Sequence, residues 1–200
     1  MSRYLYLVRH GEQSGADQGV PDGPLSERGL AQAAAVADRL AGVPFDGAWC
    51  SPMQRALDTA AVFMERRPDL VVEPSMLLMD CFPSGPGPDT PEAFDAFFHG
   101  ITPEEIAAGE AQMADARAEW IRPALDDRHE LLITHNFVIG EFVRETFGAA
   151  AWRWLGLNQA NAGLTIIRVR SRKPPVLICH NDLGHLPPAL RTGMPVEQPY

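Results

Sequence analysis

The feature that most constrains this chain is a regular exchange of strand-like and helix-like segments, with polar clusters set directly at strand ends. Arg3–Val8 is short, apolar and β-rich, and it stops at Arg9-His10-Gly11. A loop rich in Gly, Asp and Pro runs to Pro24. Ser26 then offers an N-cap, and Leu30, Ala33, Ala34, Ala37 and Leu40 fall at helical spacing before Gly42 ends the run. Phe45–Cys50 predicts a second strand. Ser51-Pro52 predicts an N-cap with proline at the first helical position. The helix it opens runs to about Arg66, with Ala56, Ala60, Val62 and Phe63 on its buried side. Leu70–Val72 and Met76–Met79 read as extended segments, and Cys81–Thr90 as a loop. Glu92–His99 predicts a short helix. Thr102-Pro103-Glu104-Glu105 is a cap, a proline and an acidic first turn, opening a helix to about Trp120. Glu130–Thr134 reads as a strand and Ile139–Phe147 as a helix stopped by Gly148. Leu164–Val169 and Val176–Cys179 read as closing strands, and the tail after Pro187 as irregular.

Strands that alternate with helices predict a three-layer α/β/α fold with a mostly parallel central sheet. A single domain over residues 1–200 is expected, with a small helical cap inserted at about 80–125. In such sheets, sites form beyond the carboxyl ends of the strands. Three polar clusters sit at those ends: Arg9-His10, Cys50-Ser51 and Thr134-His135-Asn136.

Their chemistry is specific. Two histidines held at neighbouring strand ends can face each other, with Arg9 beside them and Arg55 one turn into the helix after Ser51. Guanidinium groups bind phosphate through two parallel N–H bonds, and helix N-termini add backbone donors. One imidazole can then attack phosphorus. Arginine and imidazole supply the charge, so no metal or cofactor is called for.

Composition narrows the alternatives. Acidic residues outnumber basic ones 26 to 17, a net charge of −9. That disfavours non-specific binding to nucleic acid or an anionic membrane. Lys173 is the single lysine, and it sits in Ser-Arg-Lys-Pro-Pro. A P-loop or a Schiff-base enzyme would need a lysine elsewhere. Cys50, Cys81 and Cys179 form no disulfide framework. No signal-like start and no apolar run of about 20 residues occurs, so a cytoplasmic setting is expected.

These residues also carry a family resemblance. Leu7-Val8-Arg9-His10-Gly11-Glu12 resembles the signature of the histidine phosphatase (phosphoglycerate mutase-like) superfamily. Four further blocks resemble it in order: Pro24-Leu25-Ser26-Glu27-Arg28-Gly29, Ser51-Pro52-Met53-Gln54-Arg55-Ala56, Leu132-Ile133-Thr134-His135-Asn136, and Asn181-Asp182-Leu183-Gly184-His185-Leu186. The resemblance implies a phosphoglycerate mutase-like fold and a metal-independent phosphatase acting on a small phosphate ester or a phosphoprotein. It makes His10 the nucleophile. Arg9, Arg55 and His135 would bind the phosphate, with Glu12 and Asn136 beside them. Asp80, after Leu77-Leu78-Met79, would be the general acid and base, with Glu12 as its alternative.

Two departures stand out. Ala16 occupies the position where many members have an asparagine on the phosphate, and Cys50 replaces the usual Ser or Thr before Ser51. Residues 75–125 hold only Arg117 and Arg122 as cations, together with Phe82, Phe94, Phe97 and Phe98. This favours a phosphatase over a mutase-type phosphotransferase. A phosphate-binding protein without catalysis is the third reading, and a homodimer remains open. His99 and His129 read as solvated, Arg28 as a local salt-bridge partner, and Trp120, Trp152 and Trp154 as packing residues.

Overall fold

The computed structural model describes residues 1–194. Six strands form one sheet: β1 (Ser2–Arg9), β2 (Gly47–Cys50), β3 (Glu73–Pro74), β4 (Arg128–Thr134), β5 (Leu164–Arg170) and β6 (Lys173–Asp182). Their order is β3-β2-β4-β1-β5-β6. The pairs β3–β2, β2–β4 and β4–β1 are parallel, whereas β1–β5 and β5–β6 are antiparallel. The sheet is therefore mixed, with its parallel part leading into an antiparallel edge.

β1 lies near the middle because it is apolar on both sides. Leu5 and Leu7 face one side and Tyr6 and Val8 the other, all buried. Burying each such side chain stabilises the fold by about 1.5–3 kcal/mol. α1 (Glu27–Arg39) and α2 (Gln54–Arg66) cover the Tyr6–Val8 face, through Val36, Ala37, Ala56, Ala60 and Phe63. α4 (Pro103–Trp120) and α5 (Asn136–Thr146) cover the other, through Met113, Ala116, Trp120, Ile139 and Phe142. α3 is a single turn, Asp95–Phe98. The α/β/α class expected from the alternation is what the chain adopts.

Several local expectations change. The expected cap at 80–125 divides in two. α4 is one of the layers on the sheet, since Met113, Ala116 and Trp120 belong to the core. Only 81–101 lies outside it, packing Phe82 and Phe97 against Phe137 and Trp154. α1 is turned by about one residue from the expected stripe, so Leu30 is 47% exposed while the polar Gln32 is fully buried. Ser26 caps α1 as expected, its Oγ accepting the Gly29 N–H at 3.0 Å. α2 begins at Gln54 rather than at Pro52, because Ser51 continues the β2 line and donates its N–H to the Ile133 carbonyl. The first α2 N–H instead goes to Asp22 Oδ2 at 3.0 Å. β3 pairs only at Glu73 and Pro74, and Met76–Leu78 is a 3-10 turn rather than a strand. His129 is not simply solvated. It stacks on Tyr4, with its Nδ1 2.8 Å from the Tyr6 hydroxyl.

Candidate active site

The carboxyl end of β1 opens onto a cleft of about 430 Å³, lined by Arg9, His10, Gln13, Arg55, Asp80 and Asn161 among others, and the ends of β2 and β4 lie buried beside it. His10 follows β1 directly and is 6% exposed. Its Nδ1 lies 2.7 Å from the Gly11 carbonyl, which can only accept, so Nδ1 carries the proton. Its Nε2 accepts the Arg55 Nε–H at 3.0 Å, so Nε2 holds the lone pair. Burial, reinforced by His135, Arg9 and Arg55, holds the His10 pKa well below the ordinary imidazole value. His10 is thus a neutral base at neutral pH, of one tautomer.

The turn after His10 is tight because α1 presses on it. A methyl group on Gly29 would strike the Glu12 carbonyl, and one on Gly11 would strike Gly29. The Gly11 N–H donates to Thr59 Oγ1 on α2 at 3.1 Å, and the Glu12 N–H to the buried Gln32 Oε1 at 2.8 Å. The two helices therefore fix the loop that carries the nucleophile candidate.

Arg55, 6% exposed, is the hub. Its Nη1 donates to Gln13 Oε1, the Pro21 carbonyl and Asp22 Oδ1 at 3.2–3.3 Å. Its Nη2 reaches Asp80 Oδ2 at 3.2 Å and His135 Nδ1 at 3.1 Å. Arg9 enters from β1, and its Nη1 donates to the Gln159 carbonyl at 2.5 Å and the Gly193 carbonyl at 2.8 Å. Burial lowers its pKa to about 10, so it still carries its charge at neutral pH.

His135 ends β4 and precedes α5. Its ring lies 5.1 Å from that of His10, centroid to centroid. Its Nε2 is 2.7 Å from Ser51 Oγ. Burial and then Arg55 and Arg9 depress its pKa as well. Asp80 shows the opposite shift. Burial raises its pKa despite Arg55 and Arg9, which pull it down. Its side chain is 37% exposed, but Oδ1 is shielded and meets no donor at hydrogen-bond geometry among the described residues.

The structure brings His10, Arg9, Arg55, Asp80 and His135 together. It does not support phosphate contacts from the Glu12 and Asn136 side chains. Glu12 accepts from Ser26 Oγ at 2.8 Å and pairs with Arg28 at 3.3 Å, which leaves Arg28 the local role expected of it. Asn136 donates to Asn158 and accepts from the Gln159 N–H, so its amide serves the 158–159 turn. The position of Ala16 is simply part of the cleft wall.

Sequence reading missed Gln13, Asn161 and Gly193. Asn161 Nδ2 donates to the His10 carbonyl at 3.2 Å, and Gly193 lies against Arg9. Two signals could have pointed to them. Gln13 lies three residues after His10, and Asn161-Ala162-Gly163 immediately precedes β5.

Two arginines and two histidines gathered at the carboxyl edge of an α/β/α sheet define a site suited to holding an anion. The chain belongs to the histidine phosphatase superfamily (branch 1), whose family model matches residues 5–182. It is 27% identical over 193 residues to the serine/threonine-protein phosphatase PGAM5, mitochondrial, of Rattus norvegicus, covering 94% of this chain but 65% of that protein. It is 28% identical over 203 residues to a metal-independent phosphoserine phosphatase of Arabidopsis thaliana, covering 91% and 82% of the two. Among solved structures, Bacillus stearothermophilus YhfR superposes with a TM-score of 0.73 at 22% identity, covering 92% and 98% of the two chains. These relatives support phosphatase chemistry in general, and the structural likeness supports the fold. No helix among the described residues is long and apolar enough to cross a membrane.

Proposed function

We propose that this chain is a metal-independent phosphomonoesterase that works through a phosphohistidine on His10. The observation that carries the reading is the neutral His10 imidazole with its lone pair on Nε2, held between two arginines in the cleft. Phosphate oxygens would draw Arg55 off Nε2 and engage Arg9, Arg55 and His135. Nε2 then attacks phosphorus as the ester P–O bond breaks. Asp80, protonated, gives its proton to the leaving oxygen and becomes a carboxylate. Phosphorylation leaves the His10 ring cationic beneath an anionic phosphoryl group, and its Nδ1–H donates to the Gly11 carbonyl, which stabilises the ring charge. In the second half Asp80 takes a proton from water, the oxygen attacks phosphorus, and Nε2 leaves with its electron pair. Inorganic phosphate and protonated Asp80 result.

A mutase-type transfer would need a second anion site. The cations expected there are engaged: Arg117 pairs with Glu141 and Glu145, and Arg122 with Glu119.

Rapid quench with a radiolabelled aryl phosphate in EDTA tests the reading. An acid-labile, base-stable phosphoenzyme is expected, and His10→Ala should lose it together with at least about 10⁴-fold in kcat. Wild-type turnover by His10→Ala would overturn the assignment.

A further inference from the structure

The two buried histidines differ in the kind of partner each ring nitrogen has. His10 meets a carbonyl on one side and a guanidinium on the other, and neither partner can reverse its role. His135 Nδ1 meets Arg55 Nη2, which only donates, at 3.1 Å. In the ligand-free protein Nδ1 is therefore bare, and the single ring proton sits on Nε2, donated to Ser51 Oγ at 2.7 Å. Nδ1 is the nitrogen that faces the cleft-lining Arg55 and Asp80, with Asp80 Oδ2 at 3.8 Å, and the His10 ring lies beside the His135 ring. A bare Nδ1 repels a phosphate oxygen. An Nδ1–H would bind it.

Ser51 is fully buried and has two partners among the described residues. Its Oγ accepts from His135 Nε2–H and from the Met53 N–H at 3.3 Å. Its own backbone N–H is tied to the Ile133 carbonyl, one residue before Thr134. Ser51 is thereby fixed by two elements at once, the end of β2 and the turn into α2. A hydroxyl held that way is a preset acceptor for Nε2–H.

We propose that Ser51 is a positioning residue that keeps the His135 Nε2 proton in place, so that a second proton acquired with phosphate is carried on Nδ1 and donated to the anion. The proton balance is simple. A phosphate monoanion gives its proton to Nδ1 and becomes a dianion, and His135 becomes an imidazolium with N–H on both nitrogens. When phosphate leaves, the proton leaves with it or passes to water in the cleft. Burial opposes this proton first, then Arg55 and Arg9, and the His10 ring opposes it whenever that ring is charged; Asp80 favours it only while ionised. The dianion itself tips the balance. Without an acceptor on Nε2, the charged ring would bury an unpaired N–H, so phosphate and proton would both bind less well.

The proposal rests on the phosphatase reading only for where phosphate binds, and it is tested without turnover. Nitrogen-15 NMR of the ring, titrated with inorganic phosphate near neutral pH, reads both protons. The expected spectrum has Nε2–H alone in the free protein and N–H on both nitrogens with phosphate bound. Ser51→Ala should weaken phosphate binding by about 10- to 100-fold and lose the second proton. Ser51→Thr should restore both. A ring that stays neutral in the wild-type complex overturns the proposal, and so does a proton on Nδ1 in the free protein. Wild-type phosphate affinity in Ser51→Ala, or failure of Ser51→Thr to restore it, overturns it as well. A wild-type protein that binds no phosphate at all would instead overturn the phosphatase reading beneath it. A wild-type complex with the expected spectrum but no phosphoenzyme on His10 would overturn only that reading.

Discussion

The two halves of the sheet serve the cleft in different ways. In the parallel half, β1, β2 and β4 end at the same edge, and each delivers a side chain there or opens the helix that does: His10, Arg55 and His135. The antiparallel half begins at that edge. β5 is preceded by the 158–163 turn, which meets β1 from behind. The Gly163 carbonyl accepts the Arg9 N–H, the Ala162 N–H donates to the Arg9 carbonyl at 3.0 Å, and Asn161 holds the His10 carbonyl. Ala162 adopts φ 54°, a left-handed conformation that costs an alanine about 1 kcal/mol. His185 Nε2 donates to the Ala162 carbonyl at 2.9 Å and steadies that turn. Strand direction thus divides labour: one half presents reactive groups, the other restrains the backbone that carries them.

Three substitutions would break or sharpen this division, in falling order of effect. Arg55→Lys removes the fork that reaches His10, Asp80 and His135 at once. A lysine keeps the charge but offers a single ammonium. A loss of about 10³-fold in kcat/KM is expected on an aryl phosphate, with circular dichroism unchanged.

Asp80→Asn should cost about 10²-fold on an alkyl phosphate, whose leaving oxygen needs the proton, and less on a nitrophenyl ester. The pH dependence follows from the shifts. The raised Asp80 pKa keeps the acid protonated to higher pH than a free aspartate, so activity falls as pH rises through that value. The depressed His10 pKa keeps the base neutral to lower pH, so activity falls on the acid side only below the ordinary histidine range. The asparagine variant should lose the alkaline limb and keep the acid one.

Asn161→Ala, in the restraining half, should lower kcat by about 10-fold with KM little changed, since the bonds to the His10 carbonyl and from Thr192 Oγ1 are lost while the arginines and histidines stay. A loss as large as that of Arg55→Lys would erase the distinction between the halves.

The reactive half was the legible half. Arg9-His10, Cys50-Ser51 and Thr134-His135 each adjoin an apolar strand, so topology alone brought them to one edge. Asp80 needed the family resemblance, since no local pattern marks it. The restraining half was hidden because its contacts join residues some 150 apart, through backbone carbonyls that any sequence supplies. Gln32 was hidden by its polarity. It is fully buried because it bridges the Glu12 N–H and the Leu190 carbonyl, and recognising it would have turned the α1 stripe correctly and exposed Leu30. α4 was mistaken for cap because its apolar residues are thinned by alanines that weaken the period of Met113, Ala116 and Trp120.

The place of β1 has a consequence for how the protein is made. It is the first strand in the sequence, yet Tyr6 pairs with Leu131 on one side and Ile166 on the other. At translation speeds of roughly 5–20 residues per second, Tyr4-Leu5-Tyr6-Leu7-Val8 waits about 10–30 s for its neighbours. For that interval the nascent chain exposes an apolar strand with both edges open, the kind of segment that holdase chaperones shelter and aggregates recruit. The segment that leads into the nucleophile candidate thus keeps both edges open until residues 128–170 have been made.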